Sequence, residues 1–261
     1  MSALMSYQYD GFIALQMGMN AALNPAYLTG TQYALGVNID VRGGLLRTRS
    51  GFWELTRLPE GTFNGIGRWS LNSGDRLVVG IGGDLHVLEA NTGSVVFVLT
   101  GALTSSLGYY FCQADRYLVV QDGARSPVVL EYSNGAYTQV TSDVSIPIGF
   151  SMTYAHGRLH VVPRYIPQTF EDGRASIVSG DICEPDNPST CLKFTETEYL
   201  SEGGANGLPA ELGFIGGIGT LRNSSTGTGV GGTIVVARNG CCGFDFSISR
   251  SLWKSQALSQ V

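Results

Sequence analysis

RLVVG (76–80), RYLVV (116–120) and RLHVV (158–162) are three versions of one short segment, set 40 and 42 residues apart. Each is a compact run of β-branched and apolar residues bounded by turn formers, which is the signature of a strand. Each is preceded by a second such run: IGRWSL (66–71), GYYFCQA (108–114) and FSMTYAHG (150–157). In the first unit DLHVLEA (84–90) and SVVFVL (94–99) follow, separated by Gly82-Gly83 and Asn91-Thr92-Gly93. In the second, SPVVLEY (126–132) and AYTQV (136–140) follow Asp122-Gly123 and flank Ser133-Asn134-Gly135. Asn-Gly and Asp-Gly pairs supply the positive φ that tight hairpins need. Four strands in about 40–45 residues is the size of one β-propeller blade.

The third unit is interrupted. After RLHVVPRY comes a loop rich in Pro, Asp and Gly, with strands expected at IVSGDI (177–182) and LKFTETEYL (192–200). A fourth unit starts at GFIGGIGTL (213–221), continues through TIVVAR (233–238) and CCGFDFSI (241–248), and is soon followed by the last residue, Val261. The expected fold is all-β, with propeller-like blades of antiparallel strands near 64–100, 104–141, 147–200 and 211–253, whose ring is closed by a strand from the first 60 residues, by another chain, or in a longer form of the protein. Residues 61–261 form that body, and residues 1–60 an extended N-terminal arm. Gly43-Gly44 between apolar runs also fits an ordinary hairpin packed on the first blade. Arg42, Arg47, Arg49, Phe52 and Trp53 crowd together there, an arginine and aromatic composition suited to an interface.

Composition limits what such a body does. Of 261 residues only 14% are charged, against about 25% in an average soluble domain, so part of the surface is expected to be covered by partners. Glycine, at 36 residues, has no three-residue period, and with 9 prolines and 43% apolar residues the chain is neither collagen-like nor disordered. The net charge is −5, and Lys193 and Lys254 are the only lysines beside 14 arginines. Without a basic run the chain lacks the footprint that tight binding to nucleic acid requires. No stretch of 18 apolar residues occurs, and MSALMSYQYDGF lacks the basic head and apolar run of a secretory leader, so synthesis in a cytoplasm is expected.

Reactive groups are sparse. The five cysteines, Cys112, Cys183, Cys191, Cys241 and Cys242, include no C-x-x-C pair and read as free thiols, though Cys183 and Cys191 bracket a turn-rich loop that a bridge could close. His156 and His160 are four apart, about 13 Å in a strand, too far to share a metal. His86 lies in a separate strand, and no G-x-S-x-G elbow accompanies the three histidines. The glycines at 213, 216, 217 and 219 precede a turn-rich stretch with no helix to cradle a phosphate, so they read as strand packing or a bulge. Asp172, Asp181, Glu196 and Glu198 are the candidate carboxylates for a glycosidase, and a solvated loop explains them more cheaply, since Asp172-Gly173 and Asp186-Asn187-Pro188 are turn formers. No catalytic residue, cofactor or metal site is assigned. Tyr165, Phe170 and Tyr199, in or beside the third-unit loop, are the candidates for loop contacts.

The run GMNAALNPAYLTGTQYALGVNIDVRGGLLRTRSGF (18–52), with Arg42-Gly43-Gly44, Thr48-Arg49 and Gly51-Phe52 at its end, resembles the opening of tail and virion structural proteins of short-tailed bacteriophages. In those proteins an R-G-G-x-x-x-T-R-x-G-F stretch leads into a propeller-like body. VVQDG (119–123), PIGFSMTYAHGRLHVV (147–162), SGDI (179–182), FTETEYL (194–200) and the GFIGGI run follow in the same order. Ser50 stands where such proteins often carry proline, and the chain ends soon after Trp253. The resemblance implies a virion protein of the tail nozzle or tail-hub kind. It would form a homo-oligomeric ring below the portal and adaptor, with DNA passing during ejection without being held, and with no membrane anchor. A module that recognises a host-surface glycan or protein is the alternative, and a polysaccharide-degrading tail enzyme a third.

Overall fold

The computed structural model describes residues 27, 39–42, 45–48, 54–165, 171–195, 205–220, 233–245 and 254–260. The chain divides into two compact units, Met1–Glu54 and Leu55–Val261. In the first, β1 (Ile39–Arg42) and β2 (Leu45–Thr48) pair antiparallel with Arg42 opposite Leu45.

Among its described residues the second unit holds sixteen strands in four antiparallel sheets of four. Sheet I contains β3 (Phe63–Leu71), β4 (Gly74–Ile81), β5 (Asp84–Glu89) and β6 (Val95–Leu99). Sheet II contains β7 (Tyr110–Ala114), β8 (Tyr117–Gln121), β9 (Val128–Ser133) and β10 (Ala136–Val140). Sheet III contains β11 (Gly149–Ala155), β12 (Arg158–Pro163), β13 (Ser176–Ser179) and β14 (Ala205–Gly207). Sheet IV contains β15 (Ile215–Thr220), β16 (Thr233–Ala237), β17 (Gly240–Asp245) and β18 (Lys254–Gln260). Within each sheet the strands lie in chain order, so every sheet is a simple meander. The expected all-β class holds.

Two expectations are corrected. The segment beginning at Leu192 is not a strand where it is described: Pro188–Leu192 is a 3-10 turn and residues 193–195 have no regular structure, while residues 196–200 lie outside the described ones. Its apolar side chains Cys191, Leu192 and Phe194 fill the core from a loop, which explains why they read as a strand. The fourth blade runs past its expected bound at residue 253, because Lys254–Gln260 pairs with β17 and brings sheet IV to four strands.

Among the described residues three buried clusters hold the sheets face to face. Trp69, Val78, Leu85 and Val87 of sheet I meet Leu118, Val120, Val128 and Leu130 of sheet II. Tyr117, Val119 and Val129 meet Met152, Leu159, Val161 and Val178 of sheet III. Val162 and Ile177 meet Ile215, Val235 and Cys242 of sheet IV. Successive residues of β8 thus point into different clusters, and the strand is buried on both faces along its whole length. That is why RYLVV is a continuous apolar run where a half-buried strand would alternate. Each fully buried Val or Leu contributes about 1.5–3 kcal/mol.

The first strands of the four sheets neighbour one another in succession, β3 with β7, β7 with β11 and β11 with β15. Glycine makes the closest of these approaches possible. A Cβ on Gly67 of β3 would lie 2.5 Å from Phe111 Cγ, and one on Gly80 of β4 would lie 2.4 Å from Tyr109 Cδ2. Polar side chains then pin the sheets together. Gln113 of β7 accepts from Ser70 N–H at 2.8 Å and donates to Ser70 C=O at 2.9 Å. Gln121 accepts from Gly149 N–H at 2.6 Å. Thr153 and Thr220 join their hydroxyls at 2.8 Å, and Ser151 Oγ accepts from Ile218 N–H at 3.2 Å.

Candidate functional site

The repeat arginines do three different things. Arg76 is buried and donates from Nε to the Tyr137 hydroxyl at 2.7 Å, tying sheet I to sheet II. Arg158, also buried, donates to Gly180 C=O at 2.9 Å. Arg116 stands one residue before β8, in the turn, and reaches Glu131 at 3.1 Å and the Tyr117 hydroxyl at 3.0 Å. A shared motif in sequence is therefore not a shared position in the fold.

Two of the candidate carboxylates, Asp172 and Asp181, are locally employed. Asp172 accepts from Arg174 Nε at 2.9 and 3.0 Å and from its backbone N–H at 3.0 Å, which holds its carboxyl down to about 2. Asp181 accepts from Thr195 N–H and Oγ–H at 3.0 and 2.6 Å. Glu196 and Glu198 lie outside the described residues. His156 sits in a turn with φ 52° and is followed by Gly157 at 73°, a hairpin between β11 and β12. His160 is fully buried in β12 opposite Ser179 of β13, with Nδ1 2.6 Å from Ser179 Oγ and Nε2 3.3 Å from Ala155 C=O. Burial pushes it down to about 3, so the ring is neutral. His86 is buried in β5, where Val79 and Val98 are its cross-strand neighbours. All five cysteines are free thiols. Among the described residues no group of three His, Cys, Asp or Glu side chains is arranged to hold a metal ion. Gly213 closes a 3-10 turn at φ 72°, and Gly216, Gly217 and Gly219 lie in β15, which bulges between Ile215 and Gly217.

Of the interface candidates, Arg42 and Arg47 lie on β1 and β2, and Arg49, Phe52 and Trp53 fall outside the described residues. Tyr165 is 49% exposed, with the Arg164 guanidinium 5.3 Å from its ring centre. Phe170 and Tyr199 fall outside the described residues.

A cleft of about 540 Å³ opens where hairpin turns of sheets I and II come together. The β3–β4 turn supplies Asn72 and Ser73, the β7–β8 turn Asp115 and Arg116, and the β9–β10 hairpin Tyr132 and Asn134. Asp115 and Asn134 have φ of 52° and 53°, the left-handed region that Asp and Asn tolerate best after glycine. The base is fixed by Gln113, which donates to Asp115 C=O at 2.8 Å, and by Trp69, whose indole N–H donates to Arg116 C=O at 3.1 Å. Asn72, Asp115, Tyr132 and Asn134 make no side-chain hydrogen bond among the described residues. Sequence reading passes over this set because Asn72, Asp115 and Asn134 are ordinary turn residues and come together only when three hairpins align.

No family model matches the chain, and no curated protein is similar to it. Among solved structures it is similar to the extracellular domain of a hybrid two-component system of B. thetaiotaomicron, at 16% identity and a TM-score of 0.43. That match covers 76% of this chain and 22% of the other. Among the described residues no helix is long and apolar enough to cross a membrane.

Proposed function

We propose that the chain is a non-enzymatic structural component of a bacteriophage tail, of the nozzle or hub kind. In this reading the four sheets are blades of a propeller-like body, and copies assemble with neighbouring tail proteins around the conduit through which DNA leaves the virion. The observation that carries the reading is β6. Among the described residues this is an edge strand, and it presents Val95, Val96 and Val98 at 44, 38 and 42% exposure on a chain with few charges. An exposed apolar edge is an aggregation hazard in a lone protein and an asset in one built to be covered. The order of glycine-rich motifs that resembles tail proteins supports the same reading, as does a net charge of −5, which disfavours holding phosphate.

Light scattering and negative-stain imaging of the purified chain, alone and with tail proteins of its source virion, test this. A closed ring of identical copies is expected, and Val96→Lys, which puts a charge on the edge, breaks it into smaller species. A chain that stays monomeric at high concentration and holds duplex DNA tightly at physiological salt overturns the proposal.

A further inference from the structure

We infer that the cleft between the turns of sheets I and II is a binding site for a neutral saccharide, a function beyond the assembly role proposed above. Its size falls in the range of small-ligand sites, roughly 300–1,000 Å³. What it offers is hydrogen bonding without an unbalanced positive charge. The Arg116 guanidinium is already matched by Glu131 at 3.1 Å and the Tyr117 hydroxyl at 3.0 Å, which leaves the Asp115 carboxylate as the lining's remaining charge. A phosphate or sulfate would meet that carboxylate with no surplus cation. An apolar ligand would strip water from Asn72, Asp115 and Asn134 and return no hydrogen bonds, at a cost of about 1–3 kcal/mol for each group left unsatisfied. A peptide gains affinity by adding to a strand edge or by filling apolar pockets. The cleft is bordered largely by turns and lined mainly by polar side chains.

A polyhydroxylated ring meets every one of these conditions. Each hydroxyl both donates and accepts, so one carboxylate and two primary amides serve neighbouring hydroxyls together. Tyr132 adds a half-buried aromatic side chain that carries a hydroxyl to the lining. The site is also held in shape before the ligand arrives. Gln113 and Trp69 clamp the β7–β8 turn, and Tyr132 packs against Tyr137 at 4.7 Å between ring centres. That reduces the ordering cost of binding.

The test is saturation-transfer NMR and calorimetry on the full chain with maltotriose, cellotriose, galactotriose and triacetylchitotriose as probes. Binding of at least one, with a dissociation constant of about 1 mM or below, is expected. Asp115→Asn and Asn134→Gly preserve the left-handed backbone while changing the side chain, and Tyr132→Phe removes only a hydroxyl. Each is expected to weaken binding about tenfold without moving the melting temperature, whereas Asp172→Asn, far from the cleft in sequence and outside its lining, leaves affinity unchanged. Failure of all four probes to bind overturns the inference. So does affinity that survives Asp115→Asn combined with Asn134→Gly, or tighter capture of a peptide or a polyanion in the same cleft. Oligomeric state is read by light scattering on the same samples, so loss of sugar binding and loss of assembly are separate results.

Discussion

His160 takes, in the sequence repeat, the place that Val78 and Leu118 hold in the first two units, and it is as deeply buried as they are. The sequence makes it an outlier in an apolar strand, and the structure supplies the reason it is tolerated. Its Nε2–H donates to Ala155 C=O, and Ser179 directs a hydroxyl at Nδ1. This tautomer leaves neither nitrogen wanting. The arrangement carries a pH signature. In the unfolded chain histidine titrates near 6.5, and in the native state burial lowers it to about 3. As pH falls below about 6.5 the unfolded chain therefore takes up a proton that the native chain refuses. The stability is present above that pH and is lost on acidification toward about 3, with a slope of up to about 1.4 kcal/mol per pH unit. Urea unfolding between pH 7 and 5, a window above most carboxylate titrations, is expected to show this slope. His160→Leu combined with Ser179→Ala flattens it. Gly80 is the other decisive position. Gly80→Val drives a side chain into the Tyr109 ring, and a loss of about 1–3 kcal/mol in chemical denaturation is expected. Among the thiols, burial pushes Cys112 up to about 12 and raises Cys191 and Cys242 as well. These three are expected to react with a thiol reagent at pH 8 far more slowly in the native than in the urea-unfolded chain.

At the scale of elements, what was legible followed from local physics. Strands buried on both faces read as continuous apolar runs, and Asn134-Gly135 announced its hairpin because both residues need positive φ, observed at 53° and 81°. Gly135→Ala is expected to cost about 1 kcal/mol for that reason, measurable by thermal melting. The third sheet was harder. β14 is only Ala-Asn-Gly and carries no alternation, while the apolar Leu192 and Phe194 pack from a loop. Neither fact has a periodic signal. The cleft was illegible for a related reason, since its residues are far apart in sequence and each has a sufficient local explanation as a turn former.

For the whole molecule, the sandwiching of interior sheets by their neighbours sets a gradient of protection. β8 and β12 are buried along their full lengths, whereas β6 and β10 are edge strands with exposed side chains. Native-state hydrogen exchange is expected to be slowest at β8 and β12 and faster by orders of magnitude at β6 and β10; uniform rates across the four strands would contradict this packing order. Each sheet, moreover, is drawn from a single uninterrupted stretch of chain and borrows no strand from another among the described residues. A whole sheet with its turns is thus encoded contiguously: one recombination event can copy, remove or replace it while leaving the internal pairing of the others intact, and the neighbours' facing side chains then set whether the exchange is tolerated.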